Sequence, residues 1–139
     1  MPRISKITQS QWDELAQKAL IARRKAYAPY SRFKVGAALL LDNEEIVCGS
    51  NVENASYGLC MCAERNAVAT AISQGKNKFV ALAIASGKAD PAPPCGMCRQ
   101  VLVEFCTDLE IMLLNSTGTK KRTTLSKLLP HPFRWKGAT

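Results

Sequence analysis

The chain has 139 residues, a length typical of one domain, and 47% of its residues are hydrophobic while 22% are charged. This balance excludes wholesale disorder, because enough apolar side chains are present to bury a core. The longest apolar runs, 35–41 and 79–85, are far shorter than the roughly 20 residues that cross a bilayer, so we expect no membrane partner. The basic N-terminus lacks the apolar stretch of a secretory signal, and we therefore expect a cytoplasmic protein.

The chain is basic, with 19 Lys and Arg against 11 Asp and Glu and a formal net charge of +8. Such an excess raises the possibility of a polyanionic partner. Two basic clusters contribute to it, at 23–25 near the end of a predicted helix and at 120–122 after a predicted turn. Both are typical of solvated surfaces, so the sequence does not favour a nucleic-acid partner.

The first predicted element is a helix. Apolar residues from Trp12 to Leu20 fall at helical spacing behind Ser10, which forms a capping-box pattern with Asp13. We expect this helix to end near Tyr27, two residues before a proline.

The remaining elements alternate between strands and helices. Apolar runs favour strands, Ala-rich or Cys-led segments favour helices, and Gly or polar clusters mark the turns. The predicted strands are 33–41 and 46–52, which form a hairpin, then 79–85 and 111–114; the predicted helices are 63–73, 95–105 and a short one from Thr124 to Leu129. The order α-β-β-α-β-α-β-α predicts one α/β domain over residues 1–139, with helices on the faces of a central mixed sheet.

Cysteine is the most informative residue type in the chain. Six cysteines in a small secreted domain would indicate a disulfide framework, but without an export signal metal binding or plain burial is favoured. The six are Cys48, Cys60, Cys62, Cys95, Cys98 and Cys106.

Three of these thiols stand at the starts of two predicted helices. Helix N-termini stabilise thiolate, which is the form that binds metal ions. Cys95 and Cys98 lie on one turn and can chelate one ion, while Cys62 can supply a third ligand by tertiary packing. Three thiolates suit zinc, and a site with three protein ligands keeps a position open for water, as catalytic zinc sites do.

A carboxylate lies beside this predicted site. Glu64 is two residues from Cys62, where it can shuttle protons next to the open position. The arrangement matches the H-x-E…P-C-x-x-C pattern of zinc nucleobase deaminases, with Cys in place of the His. Three thiolates on Zn²⁺ leave a formal charge of −1, and Arg65 is the candidate to offset it.

Two other interpretations of the cysteines stay open at this point. Cys60 with the other three thiols would make a closed structural zinc site and hence an interaction module without catalysis. The segment Cys95-Gly-Met-Cys98 also resembles a thioredoxin-type redox motif. Neither interpretation explains Glu64.

Longer motifs support the catalytic interpretation. The sequence resembles the small, homotetrameric class of cytidine deaminases almost from end to end. The matching segments are 27–38 (YAPYSRFKVGAA), 49–57 (GSNVENASY), 62–67 (CAERNA), 94–100 (PCGMCRQ) and 128–130 (LLP). Joint occurrence of these motifs in this order is specific to that family.

The resemblance implies a fold, a reaction and a set of roles. It implies a three-layer α/β/α sandwich, one Zn²⁺ per chain, and hydrolysis of cytidine and deoxycytidine to the uridines plus ammonia in pyrimidine salvage. It assigns zinc binding to Cys62, Cys95 and Cys98, general acid and base chemistry to Glu64, contact with the ligand sulfurs to Arg65, and nucleoside binding to Phe33, Asn51, Glu53, Ala55 and Tyr57.

The resemblance also implies a homotetramer in which neighbouring chains complete each active site. Phe133 matches the aromatic residue that another subunit contributes. Here His131 and Pro132 precede it, where the family has a glycine and a small residue. His131 is the chain's only histidine and is predicted to be a loop residue rather than a ligand.

Within this family, the alternative substrates are a modified cytosine nucleoside or cytosine in RNA or DNA. A polynucleotide would need a basic groove with interleaved aromatic side chains, and the chain has few aromatics. The intact motif 51–55 favours an ordinary ribose or deoxyribose.

Overall fold

The computed structural model describes residues 6–135. In this part of the chain a five-stranded sheet is packed between α-helices. The elements are α1 Gln9–Arg24, β1 Gly36–Leu41, β2 Ile46–Ser50, α2 Ala63–Ser73, β3 Phe79–Ala85, α3 Gly96–Phe105, β4 Glu110–Leu114, β5 Lys120–Thr124 and α4 Leu125–Leu128, with a 3₁₀ turn at Tyr57–Leu59.

The strands are ordered β2-β1-β3-β4-β5 across the sheet. β3 and β4 are parallel, because α3 crosses over between them, and the other neighbouring pairs are antiparallel. The predicted mixed sheet and the predicted β1–β2 hairpin are therefore confirmed.

Alternate side chains of the strands enter two separate cores. On β1, Leu39 and Leu41 face the cluster that contains α2 and α3, while Ala38 and Leu40 face α1. Both faces of the sheet are thus covered by helices, which gives the three-layer α/β/α sandwich implied by the resemblance.

The start of α1 differs from the prediction. Thr8, rather than Ser10, is the N-cap, and its hydroxyl accepts a hydrogen bond from the Gln11 backbone N–H at 3.1 Å. The Gln11 side chain accepts one from the Thr8 backbone N–H at 2.9 Å, so Gln11 takes the role predicted for Asp13. The helix also ends at Arg24, three residues before Tyr27.

The strand β5 was not predicted. Its basic residues were interpreted as a solvated surface after a turn, and they are indeed exposed, but they pair antiparallel with β4. An edge strand with one open side shows no apolar run, which is why the pattern missed it. Elsewhere the predicted bounds of α2 and β3 are confirmed, whereas β1 begins three residues later and β2 ends two residues earlier than expected.

Two glycines allow helices to approach the sheet closely. A Cβ on Gly49 would overlap the Ala63 carbonyl oxygen and the Ala67 backbone nitrogen of α2. A Cβ on Gly36 would overlap the Ala19 carbonyl oxygen of α1. The backbone of the first turn of α2 therefore packs directly against the backbone of β2 at Gly49.

None of the helices within residues 6–135 combines the length and the apolar character needed to cross a membrane.

Candidate functional site

The N-termini of α2 and α3 bring three thiols together. Cys62 is the N-cap of α2 and Cys95 the N-cap of α3, and neither thiol caps its own helix. The Cys95 sulfur lies 3.7 Å from that of Cys62 and 3.4 Å from that of Cys98, and all three lie within 4.8 Å of one another. Sulfur ligands of a tetrahedral zinc are about 3.8 Å apart, so this sulfur cluster (Cys62, Cys95, Cys98) has the size of a zinc site.

A buried polar pair holds the segment that leads into α3. Ser86 follows β3 and accepts a hydrogen bond from the Ala92 backbone N–H at 3.2 Å. Asn115 follows β4 and donates to the Ala89 carbonyl at 3.0 Å. Both side chains are buried, and together they fix the 87–94 connector before Cys95. Neither was predicted, although a polar residue directly after a buried strand is a signal for such a role.

Glu64 lies in the first turn of α2 and is only 4% exposed. Burial raises the pKa of its carboxyl group, its own backbone N–H opposes that rise, and the neighbouring Cys62 charge adds to it. A carboxyl group in this setting takes up a proton more readily than one on the surface.

The thiols of the cluster differ in acidity. The Cys98 thiol and then the Arg65 guanidinium lower the pKa of Cys62 to about 5, against the effect of burial. Contact with Cys62 and burial raise the pKa of Cys98. The position of Cys62 at a helix N-terminus favours its thiolate in the same direction.

Arg65 contacts the cluster directly. Its Nη2 donates to the Cys62 sulfur at 3.6 Å and to the Cys60 carbonyl at 3.4 Å. The structure thus brings a positive charge next to the Cys62 sulfur.

Cys60 lies outside the sulfur cluster. Its sulfur accepts a hydrogen bond from the Asn54 backbone N–H at 3.3 Å and lies 3.7 Å from the Asn54 carbonyl. Within residues 6–135, the group of thiols that can share one metal ion contains three members. The closed site of four thiolates is therefore not formed.

Two loops, residues 27–33 and 51–57, are joined by a backbone bridge between Tyr27 and Val52. Val52 pairs with Tyr27 on one side and with Met61 on the other. The Asn51 side chain accepts a hydrogen bond from the Val35 N–H at 2.8 Å and donates to the Phe33 carbonyl at 2.9 Å. Asn51 therefore fixes the backbone that carries Phe33, and we call 27–33 and 51–57 the bridged loops.

Glu53 is held by the first of these loops. Its Oε1 accepts hydrogen bonds from the backbone N–H groups of Tyr30 at 3.0 Å and Ser31 at 3.1 Å, and its Oε2 accepts one from the Ser31 hydroxyl. These bonds, the one from the Ser31 side chain above all, lower the pKa of Glu53. Its carboxylate is charged at neutral pH.

The remaining predicted residues are exposed. Tyr57 contacts Tyr30 edge to face with ring centroids 6.0 Å apart, and the side chains of Phe33 and Ala55 lie in the solvent-facing part of the bridged loops. Phe133 lies in the C-terminal segment, where its carbonyl accepts a hydrogen bond from Gln100 of α3. No hydrogen bond or aromatic contact among residues 6–135 joins Phe133 to the bridged loops.

Known proteins are similar to this chain in sequence and in fold. The family model of the cytidine and deoxycytidylate deaminase zinc-binding region matches residues 9–114. A cytidine deaminase of Halalkalibacterium halodurans is 48% identical over 120 residues, which cover 86% of this chain and 91% of that protein. One from Mycobacterium tuberculosis is 50% identical over 122 residues, covering 88% and 89%.

The structural comparison agrees with the sequence comparison. The crystal structure of cytidine deaminase from Burkholderia pseudomallei matches with a TM-score of 0.84 and 47% identity, covering 87% of this chain and 98% of that one. The fold and the sequence motifs lead to the same assignment: this chain belongs to the cytidine and deoxycytidylate deaminase family of zinc-binding proteins.

Proposed function

We propose that the chain is a zinc-dependent deaminase that hydrolyses cytidine and deoxycytidine to uridine and deoxyuridine plus ammonia. The observation that carries the proposal is a cluster of three sulfurs, sized for one zinc ion, beside a buried carboxyl group. The family assignment supports the same reaction. The intact 51–55 motif favours an ordinary nucleoside over a modified one or over cytosine in a polynucleotide.

The sulfur cluster would hold one zinc ion per chain. Bound zinc supplies an acidified water, with a pKa that falls to about 7 in known zinc enzymes. Arg65 would offset part of the negative charge of the ligands, because its guanidinium lies on the Cys62 sulfur. This contact keeps the site closer to neutral than three thiolates alone would.

Glu64 would move the protons of the reaction. It would take a proton from the attacking water and pass it to N3 of the pyrimidine. It would then take the second proton from the new C4 hydroxyl and give it to the departing amine, which leaves a C4 carbonyl and ammonia. The raised pKa of its carboxyl group suits a residue that is base and acid in turn. Burial also keeps bulk water away from the proton that it carries.

The bridged loops would bind the nucleoside. Glu53 Oε1 already accepts two backbone N–H groups, whereas Oε2 accepts only the Ser31 hydroxyl in this part of the chain and keeps a lone pair for the sugar 3′-hydroxyl. Asn51 positions the Phe33 backbone, and Phe33, Ala55 and Tyr57 would line the pocket. A carboxylate at the sugar favours a free hydroxyl over a phosphate.

The active site would be completed by other copies of the chain. Large apolar side chains on or next to the bridged loops, at the start of α3 and in the C-terminal segment are exposed, and exposed apolar side chains in such numbers are typical of association surfaces. They include Tyr27, Phe33, Tyr57, Leu59, Met97, Phe133 and Trp135. We therefore propose one deaminase domain per chain, assembled into a homotetramer in which Phe133 enters a neighbouring site, in a cytoplasmic enzyme of pyrimidine salvage.

Glu64→Gln tests the proposal, because it removes the proton carrier and keeps the size and polarity of the side chain. We expect kcat for cytidine to fall by roughly 10³- to 10⁴-fold, while zinc stays near one per chain. Ammonia release and metal content are measured together. Glu104→Gln, an exposed change on α3, is the matched control and should alter neither.

Two results would count against the proposal. Turnover of cytidine by zinc-free protein would exclude the metal chemistry. Loss of zinc and fold in the Gln variant would make Glu64 a structural residue.

A further inference from the structure

The C-terminal segment 128–135 is fastened along α3 by side chains. It begins at Leu128, the last residue of α4, and has no regular secondary structure after that residue, so its carbonyl groups need donors from elsewhere. Arg99 Nη1 donates to the Leu128 carbonyl at 2.8 Å, and Gln100 Nε2 donates to the Phe133 carbonyl at 2.9 Å. Both donors lie on α3, directly after Cys98.

Arg134 also joins the segment to α3, but here the donor lies in the segment and the acceptors lie on the helix. The last carbonyls of a helix lack donors within the helix. The guanidinium of Arg134 donates to the Val103 carbonyl at 2.6 Å and to the Cys106 carbonyl at 3.3 Å, both at the C-terminal end of α3. A cation there also complements the helix dipole.

The residues on either side of Arg134 face outward. Phe133 is 69% exposed and Trp135 is 73% exposed, while the guanidinium between them turns back onto α3. The two aromatic rings thus stand on a backbone that is held by the Gln100 bond to the Phe133 carbonyl and by the Arg134 bonds to α3. Such preorganisation lowers the entropy cost of ordering a side chain when a partner binds it.

We propose that Arg134 is a positioning residue, which caps α3 and thereby holds Phe133 in the orientation that a second copy of this chain receives at its nucleoside site. This inference rests on the proposed function and on the shared active site. It adds the residue that orients Phe133. It also explains how the segment stays in place although His131 and Pro132 precede the aromatic residue.

The test is a double-mutant cycle of Arg134→Ala and Phe133→Ala, with kcat, KM, zinc content and thermal unfolding measured for each protein. We expect Arg134→Ala to raise KM for cytidine about tenfold, equivalent to about 1.4 kcal/mol, with kcat and zinc content within about twofold of the parent. Because Arg134 acts through Phe133, the double variant should match Phe133→Ala alone. Arg134→Lys should recover part of the effect, since an ammonium group reaches one carbonyl.

Two further variants separate positioning from general stability. Gln100→Ala releases the Phe133 carbonyl without touching the α3 carbonyls, and it should raise KM in the same direction even if Arg134→Ala does not fold. Arg24→Ala removes an exposed arginine from the last turn of α1 and should leave KM unchanged.

Several results would overturn the inference. These are additive KM effects in the double variant, a fall in kcat with KM unchanged, or loss of zinc in Arg134→Ala. If the parent protein does not deaminate cytidine, the proposed function fails. The role of Arg134 is then tested by measuring self-association of each variant by sedimentation. Equal weakening by Arg134→Ala and Phe133→Ala would then support positioning, and unchanged association by Arg134→Ala would exclude it.

Discussion

The sulfur cluster and the bridged loops are built by different means. The cluster stands on the first turns of two helices that are packed against the sheet, with a buried carboxyl group beside it. The bridged loops are held by side-chain hydrogen bonds from Asn51 and Glu53, and their aromatic rings face solvent. The proposed metal site and its carboxyl group are thus held by the packed core, whereas the proposed nucleoside-binding surface is open to solvent.

This contrast has a physical basis. Convergent thiols repel one another as thiolates and need a rigid frame, which close helix-on-sheet packing at Gly49 provides. Loops that bind a nucleoside must let it enter and leave, and they can be closed by a neighbouring chain. Changes to the cluster should therefore abolish function, and changes to the loops should alter affinity.

The largest effect is expected from Cys98→Ala, which removes the buried thiol of the cluster. Zinc should be lost, cytidine turnover should fall below detection, and the unfolding temperature should drop, because metal binding contributes to folding. Metal analysis and calorimetry measure this. Cys106→Ala, at a buried cysteine outside the cluster, is the matched control and should keep its zinc. A Cys98→Ala protein with one zinc per chain would exclude Cys98 as a ligand.

The next effect concerns the bridged loops and a 3′-phosphate. Two unit charges about 5 Å apart repel by roughly 3 kcal/mol at an effective dielectric near 20, so Glu53 should disfavour 3′-CMP about 100-fold against cytidine. The ratio of kcat/KM for the two substrates measures this, and Glu53→Gln should shrink the ratio. Exposed lysines away from the pocket are screened within about 8 Å and should not restore binding. Efficient, salt-sensitive deamination of a short C-containing single strand would contradict a free-nucleoside substrate.

A change in the frame beneath the cluster should have an intermediate effect. Gly49→Ala would push α2 off β2, lowering the free energy of unfolding by about 2–3 kcal/mol. Because α2 carries Cys62 and Glu64, kcat should fall about tenfold or more. Gly58→Ala is the control, since a Cβ at that position meets nothing within 4 Å. Equal behaviour of the two variants in urea denaturation would show that the close approach does not matter.

The smallest effect is expected at Asp108, which bonds to Ser126 at the start of α4. Its carboxylate accepts hydrogen bonds from the backbone N–H groups of Leu109 at 2.8 Å and Ser126 at 3.0 Å. Burial alone would raise the pKa of Asp108, but these bonds outweigh it and hold the pKa below its ordinary value. A lowered pKa stabilises the fold above the unfolded-state pKa of about 3.9, and this contribution is lost as pH falls through the folded-state value.

Asp108→Asn should therefore cost less than about 1 kcal/mol at pH 7, because the group is largely solvated. The difference from the parent should shrink below about pH 4. Urea denaturation at pH 7 and pH 3 measures it. A difference that grows towards low pH would have the wrong sign.

Much of the fold followed from local pattern. Continuous apolar runs predicted β3, and the Ala-rich segment before Gly75 predicted α2 with the bounds that the structure has. The cysteine spacing and Glu64 predicted a three-thiol site. Local pattern sufficed here because a buried strand shows a continuous apolar run and a helix start shows characteristic residue types, and both can be read from the sequence.

By itself, then, the sequence predicted the mixed sheet, every α-helix and strand except β5, the family resemblance and three thiols at two helix starts. Only the tertiary structure decided that the basic run 120–124 pairs as an edge strand and that Cys60 stays outside the cluster. It alone assigned Ser86 and Asn115 to the connector before α3 and Arg134 to the end of that helix. The connector and Arg134 contacts join residues that the fold brings together from distant parts of the chain, so no local periodicity records which donor meets which acceptor.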